Sequence, residues 1–330
     1  MELISELQTP LDSKAFVVSV VCENFEGHST EEETENSLSE LKALLSTLKV
    51  EHTGEMVQVR KKLSPATALG KGKVEEIAML AKEQGANLLV FDFELSASQV
   101  RNIKKMTDIT TIDRYNVILE IFAKHAQTKE AKIQIEISKL EYFLPRLSSL
   151  WTHFSRQKGG IGIRGGEGEQ QIELDRRIVR DRIAKLKHEL ESVNKSRKQQ
   201  SKNIRKGTIT AALVGYTNAG KSSLMNRLCL ENVLEENKLF ATLDSTHRTL
   251  TPNTKPPLLL VDTVGFLSNL PNALISGFKS TLESALEADL LLLVCDVSDK
   301  NVEKQIAVTK NVLEDLKVCL LYTSDAADEG

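Results

Sequence analysis

Residues Gly215-Tyr216-Thr217-Asn218-Ala219-Gly220-Lys221-Ser222 spell a complete G-x-x-x-x-G-K-[ST] phosphate loop, set between an apolar strand pattern at 209–214 and a helix pattern at 222–230. That context separates the motif from a chance match in a glycine-rich linker. Glycines at both ends let the backbone curl so that its N–H groups face phosphate oxygens, and the helix N-terminus behind adds its positive end. Lys221 then reaches the β- and γ-phosphates, and the Ser222 hydroxyl is placed to ligate Mg²⁺. The chain is therefore expected to bind a nucleoside triphosphate on a strand–loop–helix unit of an α/β fold.

Two further boxes follow in the order that a Ras-like domain requires. The apolar run 258–261 ends in Asp262-Thr263-Val264-Gly265, a D-x-x-G box whose carboxylate steadies Mg²⁺ through water and whose glycine amide senses the γ-phosphate. Alone the box is common; forty residues after the phosphate loop and directly after a strand pattern, it is specific. Between the two lies Phe240-Ala241-Thr242-Leu243-Asp244, where Thr242 reads equally as the switch threonine of the Mg²⁺ shell or as an ordinary loop threonine.

These segments together resemble the HflX family of translation-associated GTPases. The resemblance rests on 215–226, 240–244 and 262–266, and upstream on Gly70-Lys71-Gly72-Lys73-Val74-Glu75-Glu76-Ile77, on Asp113-Arg114 and on 127–177 through its glycine-rich stretch; it spans residues 15–318. It implies nucleotide contacts at Gly215–Ser222, 240–244 and 262–265, with Mg²⁺ on Ser222 and Thr242, GTP and GDP as ligands, and GTP hydrolysis tied to the large ribosomal subunit. The chain departs from the family pattern after Asp244, where Ser245-Thr246-His247 stands in place of Pro-Thr-Thr.

The 330 residues, 41% hydrophobic and 27% charged with a net charge of −3, describe a globular chain long enough for two or three domains. No apolar run approaches the ~20 residues of a membrane span, so stable membrane insertion is not expected. The N-terminus has neither a basic start nor an apolar core, so a cytoplasmic location is expected. Cys22, Cys229, Cys295 and Cys319 lack metal-site or disulfide spacing.

Residues 1–127 alternate strand and helix patterns, with strands at 16–21, 56–59, 88–91 and 109–112 and helices at 31–48, 74–84 and 98–106, an α/β layer domain. Gly70-Lys71-Gly72-Lys73 lacks a full phosphate motif and reads as a helix-capping turn. Residues 128–206 carry two apolar stripes, Ile133, Ile137, Leu140, Leu144, Leu147 and Val179, Ile183, Leu186, Leu190, Val193, expected to pair as an antiparallel helical arm kinked at Pro145. Residues 159–168 between them are too glycine-rich to order alone and read as a tip loop. From 170 to 206 twelve Lys/Arg oppose five Asp/Glu, which favours contact with a nucleic-acid backbone over a merely solvated face. Trp151, His153 and Phe154 either stack on bases or close the end of the helix pair. The resemblance points the arm at the peptidyl-transferase region of the large subunit and its RNA; DNA is not expected.

Residues 207–318 read as a Ras-like P-loop domain lacking its C-terminal part. The guanine-reading N-K-x-D box does not occur, and residues 319–330 resemble the translation of a sequencing-library transposon adapter, so they are expected to be a non-native tail. Phe266 follows the D-x-x-G box where Ras-like enzymes carry a water-positioning Gln; a phenyl ring forms no such hydrogen bond, so slow intrinsic hydrolysis is expected. Asn218 matches a residue that holds K⁺ in some related GTPases. The rivals are an ATP-accepting P-loop enzyme and a nucleic-acid-binding module with an inactive P-loop domain.

Overall fold

The structure, a computed structural model, describes residues 13–23, 25, 28–147, 165–204, 208–229, 239–240, 246–250, 254–268 and 288–315. The chain forms two compact units, Met1–Lys198 and Gln199–Gly330.

In the first unit, β1 (Lys14–Val21), α1 (Glu31–Leu48), β2 (Glu51–Val59), α2 (Lys71–Glu83), β3 (Leu88–Phe91), α3 (Ala97–Thr107), β4 (Thr110–Asp113) and α4 (Arg114–His125) alternate along the chain. The four strands form a parallel sheet in the order β2-β1-β3-β4. A central parallel strand is covered on both faces, which is why β1 is apolar almost throughout and buried from Ala15 onward. Val74, Ile77 and Ala81 of α2 and Ile103 of α3 pack on Phe16, Val18, Leu89 and Phe91. On the other side α1 packs against α4. Strand β2 begins five residues before the pattern suggests, because its first half, Glu51-His52-Thr53-Gly54-Glu55, lies at a sheet edge where polar side chains meet water. Helix α4 is absent from the sequence reading: its residues are apolar nearly all round, since one side meets α1 and the other meets the helix that follows. Gly70 caps α2, as the turn reading expects, and Lys73 bonds Glu76 at 2.7 Å.

Asp113 and Arg114 anchor this unit. The Asp113 carboxylate caps α4 through the Asn116 N–H at 3.0 Å, and accepts from the Tyr142 hydroxyl at 2.9 Å and the Leu95 N–H at 3.0 Å. Burial pushes its pKa up, opposed by the Arg146 guanidinium 3.6 Å away. Arg114 donates to Asp92 at 2.9 Å and to the Ser37 carbonyl at 3.1 Å, and pairs with Glu40.

The arm comprises α5 (Lys129–Phe143), a 3₁₀ turn (Leu144–Arg146) and α6 (Gly165–Ile204). The two stripes named from sequence meet in one apolar cluster, Ile133, Ile137, Leu140 and Leu147 against Val179, Ile183 and Leu186, flanked by Leu144, Leu190 and Val193. Pro145 converts the helix end to the 3₁₀ turn, because it supplies no N–H for the α-helical ladder. The tip expectation needs correction: residues 165–168 belong to α6, which continues the helical ladder through Gly165, Gly166 and Gly168. Residues 159–164, with Trp151, His153 and Phe154, lie outside the described residues.

The second unit holds β5 (Ile209–Gly215), α7 (Lys221–Cys229), β6 (Thr246–Thr249), β7 (Leu258–Asp262), β8 (Leu290–Val294) and α8 (Val302–Asp315). Its sheet runs β6-β7-β5-β8, parallel except for β6. Ala211, Leu213, Met225, Cys229 and Leu260 form its core. Asp289 fixes the register of β8 by accepting from the Thr210 N–H at 2.8 Å and hydroxyl at 2.9 Å. Residues 316–330, which include the adapter-like stretch, lie outside the described residues, and no helix among the described residues is long and apolar enough to cross a membrane.

Candidate nucleotide-binding site

Strand β5 delivers the chain to the phosphate loop at Gly215, where φ is +154° and a Cβ would stand 2.2 Å from the Val294 carbonyl oxygen of β8. Only glycine fits that turn. Asn218 and Gly220 are also left-handed, with φ of +62° and +87°, so the loop closes on itself before α7 begins at Lys221. The backbone conformation of these three residues thus shapes the loop.

Lys221 is the first residue of α7 yet only 6% exposed. Its Nζ donates to the Tyr216 carbonyl at 2.7 Å and to the Gly215 carbonyl at 3.2 Å. Burial brings its pKa down to about 8, partly offset by the Asp262 carboxylate. An ammonium in this state lacks the solvation that an anion would supply.

The D-x-x-G box arrives from the neighbouring strand. Asp262 ends β7, and its Oδ2 accepts from the Ser222 hydroxyl at 2.6 Å, while Oδ1 is buried with no hydrogen-bond partner. A lone carboxylate oxygen beside a serine hydroxyl and a lysine is a donor set suited to a hydrated divalent cation. Among the described residues no three His, Cys, Asp or Glu converge as a metal cage, so such an ion would depend on hydroxyl, carboxylate and phosphate oxygens. Thr263 locks the strand end by donating to the Leu213 carbonyl at 2.7 Å.

Gly265 lies directly on the phosphate loop. A Cβ there would meet Thr217 Cα at 2.7 Å and Lys221 Nζ at 2.9 Å. The structure therefore brings Gly215–Ser222 of the loop together with Asp262, Thr263, Val264 and Gly265. Phe240 is buried and left-handed, with φ of +59°; Ala241, Thr242, Leu243 and Asp244 lie outside the described residues. The departing residues Thr246 and His247 open β6, and Thr246 pairs with Asp262 itself.

Sequence reasoning missed one feature of the site. Phe266 and Tyr216 form a bridge between the loop and the chain after the box, with the Thr217 N–H donating to the Phe266 carbonyl at 2.7 Å and the Phe266 N–H to the Gly215 carbonyl at 3.1 Å. The Tyr216 hydroxyl accepts from the Ser268 N–H at 2.7 Å and lies 2.7 Å from the Ser268 hydroxyl. The partners are fifty-two residues apart, and no local pattern links them.

Known proteins match along the whole of this architecture. Residues 35–123 match the GTP-binding GTPase N-terminal family, 125–203 the GTP-binding GTPase middle region, and 210–323 the 50S ribosome-binding GTPase family. A GTPase HflX of Flavobacterium psychrophilum is 46% identical over 94% of this chain and 74% of its own length. The GTPase HflX of Alkalihalophilus pseudofirmus is 45% identical over 87% of this chain and 68% of its own. Among solved structures, one described as an SsGBP and GDP complex covers 92% of this chain and 79% of its own at 27% identity, with a TM-score of 0.51. With identity of this extent running from the first sheet through the arm into the P-loop domain, the chain belongs to the HflX family of GTPases.

Proposed function

We propose that this chain binds GTP with Mg²⁺ at the phosphate loop and couples its hydrolysis to docking on the large ribosomal subunit. One observation carries the metal part of the reading: the Ser222–Asp262 pair, with a buried Asp262 Oδ1 that has no partner. Ser222 and Thr242 would hold Mg²⁺ directly and Asp262 through water, and the ion when bound neutralises charge on the β- and γ-phosphate oxygens. Gly215, Tyr216, Thr217, Asn218, Ala219 and Gly220 form the loop that cradles the phosphates, Phe240, Ala241, Leu243 and Asp244 flank the nucleotide, and the Gly265 amide meets the γ-phosphate. Lys221 regains on phosphate what burial denies its charge.

Phe266 is 2% exposed and bridged to the loop, so its ring anchors the segment and orients no water. The chain's own residues then bind and shield the nucleotide, and acceleration falls to a partner that reorders the switch segments. Twelve Lys/Arg against five Asp/Glu give 170–206 a local positive excess, which favours contact with an RNA backbone. The family description of residues 210–323 as a 50S ribosome-binding GTPase supports the same partner. Competition of GTP and ATP against a fluorescent guanine nucleotide, with and without Mg²⁺, tests the nucleotide part. GTP should compete only with the metal present and, since the guanine-reading N-K-x-D box does not occur in this sequence, weakly and without a firm preference over ATP; tight GTP-selective competition would overturn that expectation, and competition by neither nucleotide would remove the site.

A further inference from the structure

The Tyr216–Ser268 contact is more than local packing, because of what it holds in place. Three hydrogen bonds, two between main-chain groups and one to a side chain, join the phosphate loop to the residues just after the D-x-x-G box: Thr217 N–H to the Phe266 carbonyl, Phe266 N–H to the Gly215 carbonyl, and Ser268 N–H to the Tyr216 hydroxyl. The Ser268 hydroxyl adds a fourth contact to the same phenol oxygen. These bonds hold Gly265 so close that a Cβ there would lie 2.9 Å from Lys221 Nζ. Gly265 and Lys221 are the two groups between which a γ-phosphate must sit, and both are buried. A γ-phosphoryl group does not fit between them until Gly265 moves off, whereas the α- and β-phosphates of a diphosphate make no demand on that gap.

We infer that Tyr216 and Ser268 form a latch that sets the preference of the site for diphosphate over triphosphate, with Tyr216 as a positioning residue that acts through Gly265. The latch deepens the nucleotide-site reading and rests on it. Its strength is of the right order for a switch: one net hydrogen bond changes an equilibrium by about two- to tenfold, so the latched and open forms can exchange without unfolding the sheet. The phosphate loop brings the tyrosine, and the latched chain lies three residues after the γ-sensing glycine, so release at Ser268 leaves Gly265 held by the two Phe266 main-chain bonds alone.

The test compares GTPγS and GDP affinities by calorimetry for the chain as given, for Ser268→Ala and for Tyr216→Phe, with thermal unfolding as a check on folding. The latch predicts that the ratio of GTPγS to GDP affinity rises about two- to tenfold in Tyr216→Phe, which loses both Ser268 contacts, and by less in Ser268→Ala, which keeps the Ser268 N–H bond. An unchanged ratio in both variants, with GDP still bound, overturns the latch alone. Failure of the unmodified chain to bind either nucleotide overturns the site assignment and the latch with it.

Discussion

Lys221 makes nucleotide affinity depend on pH in a direction that the structure fixes. In this structure its ammonium is buried and its pKa is down to about 8 from 10.5. A bound triphosphate puts opposite charge against it and raises the pKa again, so binding carries proton uptake. For a group whose pKa rises on binding, affinity is full below the free value and falls above it. With the free value near 8, the dissociation constant grows by the factor 1 + 10^(pH − 8), about 1.1 at pH 7 and about 11 at pH 9, a loss of roughly tenfold or ~1.4 kcal/mol. At pH 8 about half a proton is taken up per nucleotide bound. Calorimetric titration of GDP at pH 8 in buffers of different ionisation enthalpy reads that uptake directly, and titrations from pH 7 to 9 read the loss. Zero uptake together with flat affinity would refute the claim that Lys221 sits desolvated before the nucleotide arrives.

Lys221→Ala should abolish triphosphate binding, since the phosphates lose the one ammonium the loop supplies; unchanged affinity by calorimetry would remove the site. Asp262→Asn should weaken Mg²⁺-dependent GTP binding by about 10–100-fold while leaving metal-free GDP binding less affected, as read by fluorescent-nucleotide titration across Mg²⁺ concentrations. Leu186→Ala, at a position 2% exposed inside the arm cluster, should cost ~2–5 kcal/mol in urea unfolding of the first unit. Asp113→Ala takes from Arg146 its buried carboxylate and removes the cap of α4, and should cost ~3–5 kcal/mol in the same assay. If Asn218 holds K⁺, hydrolysis runs faster in KCl than in NaCl and Asn218→Ala erases the difference; equal rates in the two salts exclude that role.

The phosphate loop was legible because its chemistry is local: glycines, lysine and serine at fixed spacing between a strand and a helix already dictate the turn at Gly215 and the start of α7. The arm stripes were legible for a similar reason, since Ile133 to Leu147 and Val179 to Val193 repeat at helical spacing and need no distant partner to be recognised. Helix α4 was not, because burial on two sides erases the polar face that marks a helix in sequence. The first half of β2 was missed for the opposite reason: an edge strand that meets water carries Glu51, His52 and Glu55 in place of an apolar alternation. The glycines at 165, 166 and 168 argued for a loop, and the long helix they open overrides their propensity. Contacts such as Tyr216 with Ser268, Arg114 with Glu40 and Asp113 with Tyr142 depend on tertiary folding, and residue type alone does not pair them.

The proposed function has Phe266 leave hydrolysis slow until the large ribosomal subunit engages the basic arm. Single-turnover GTP hydrolysis by this chain, measured at low salt with increasing amounts of purified large subunits, tests it most directly, because electrostatic docking is strongest there. The rate should rise with subunit concentration to a plateau and fall back as salt is added. A rate indifferent to the subunits at low salt would contradict it.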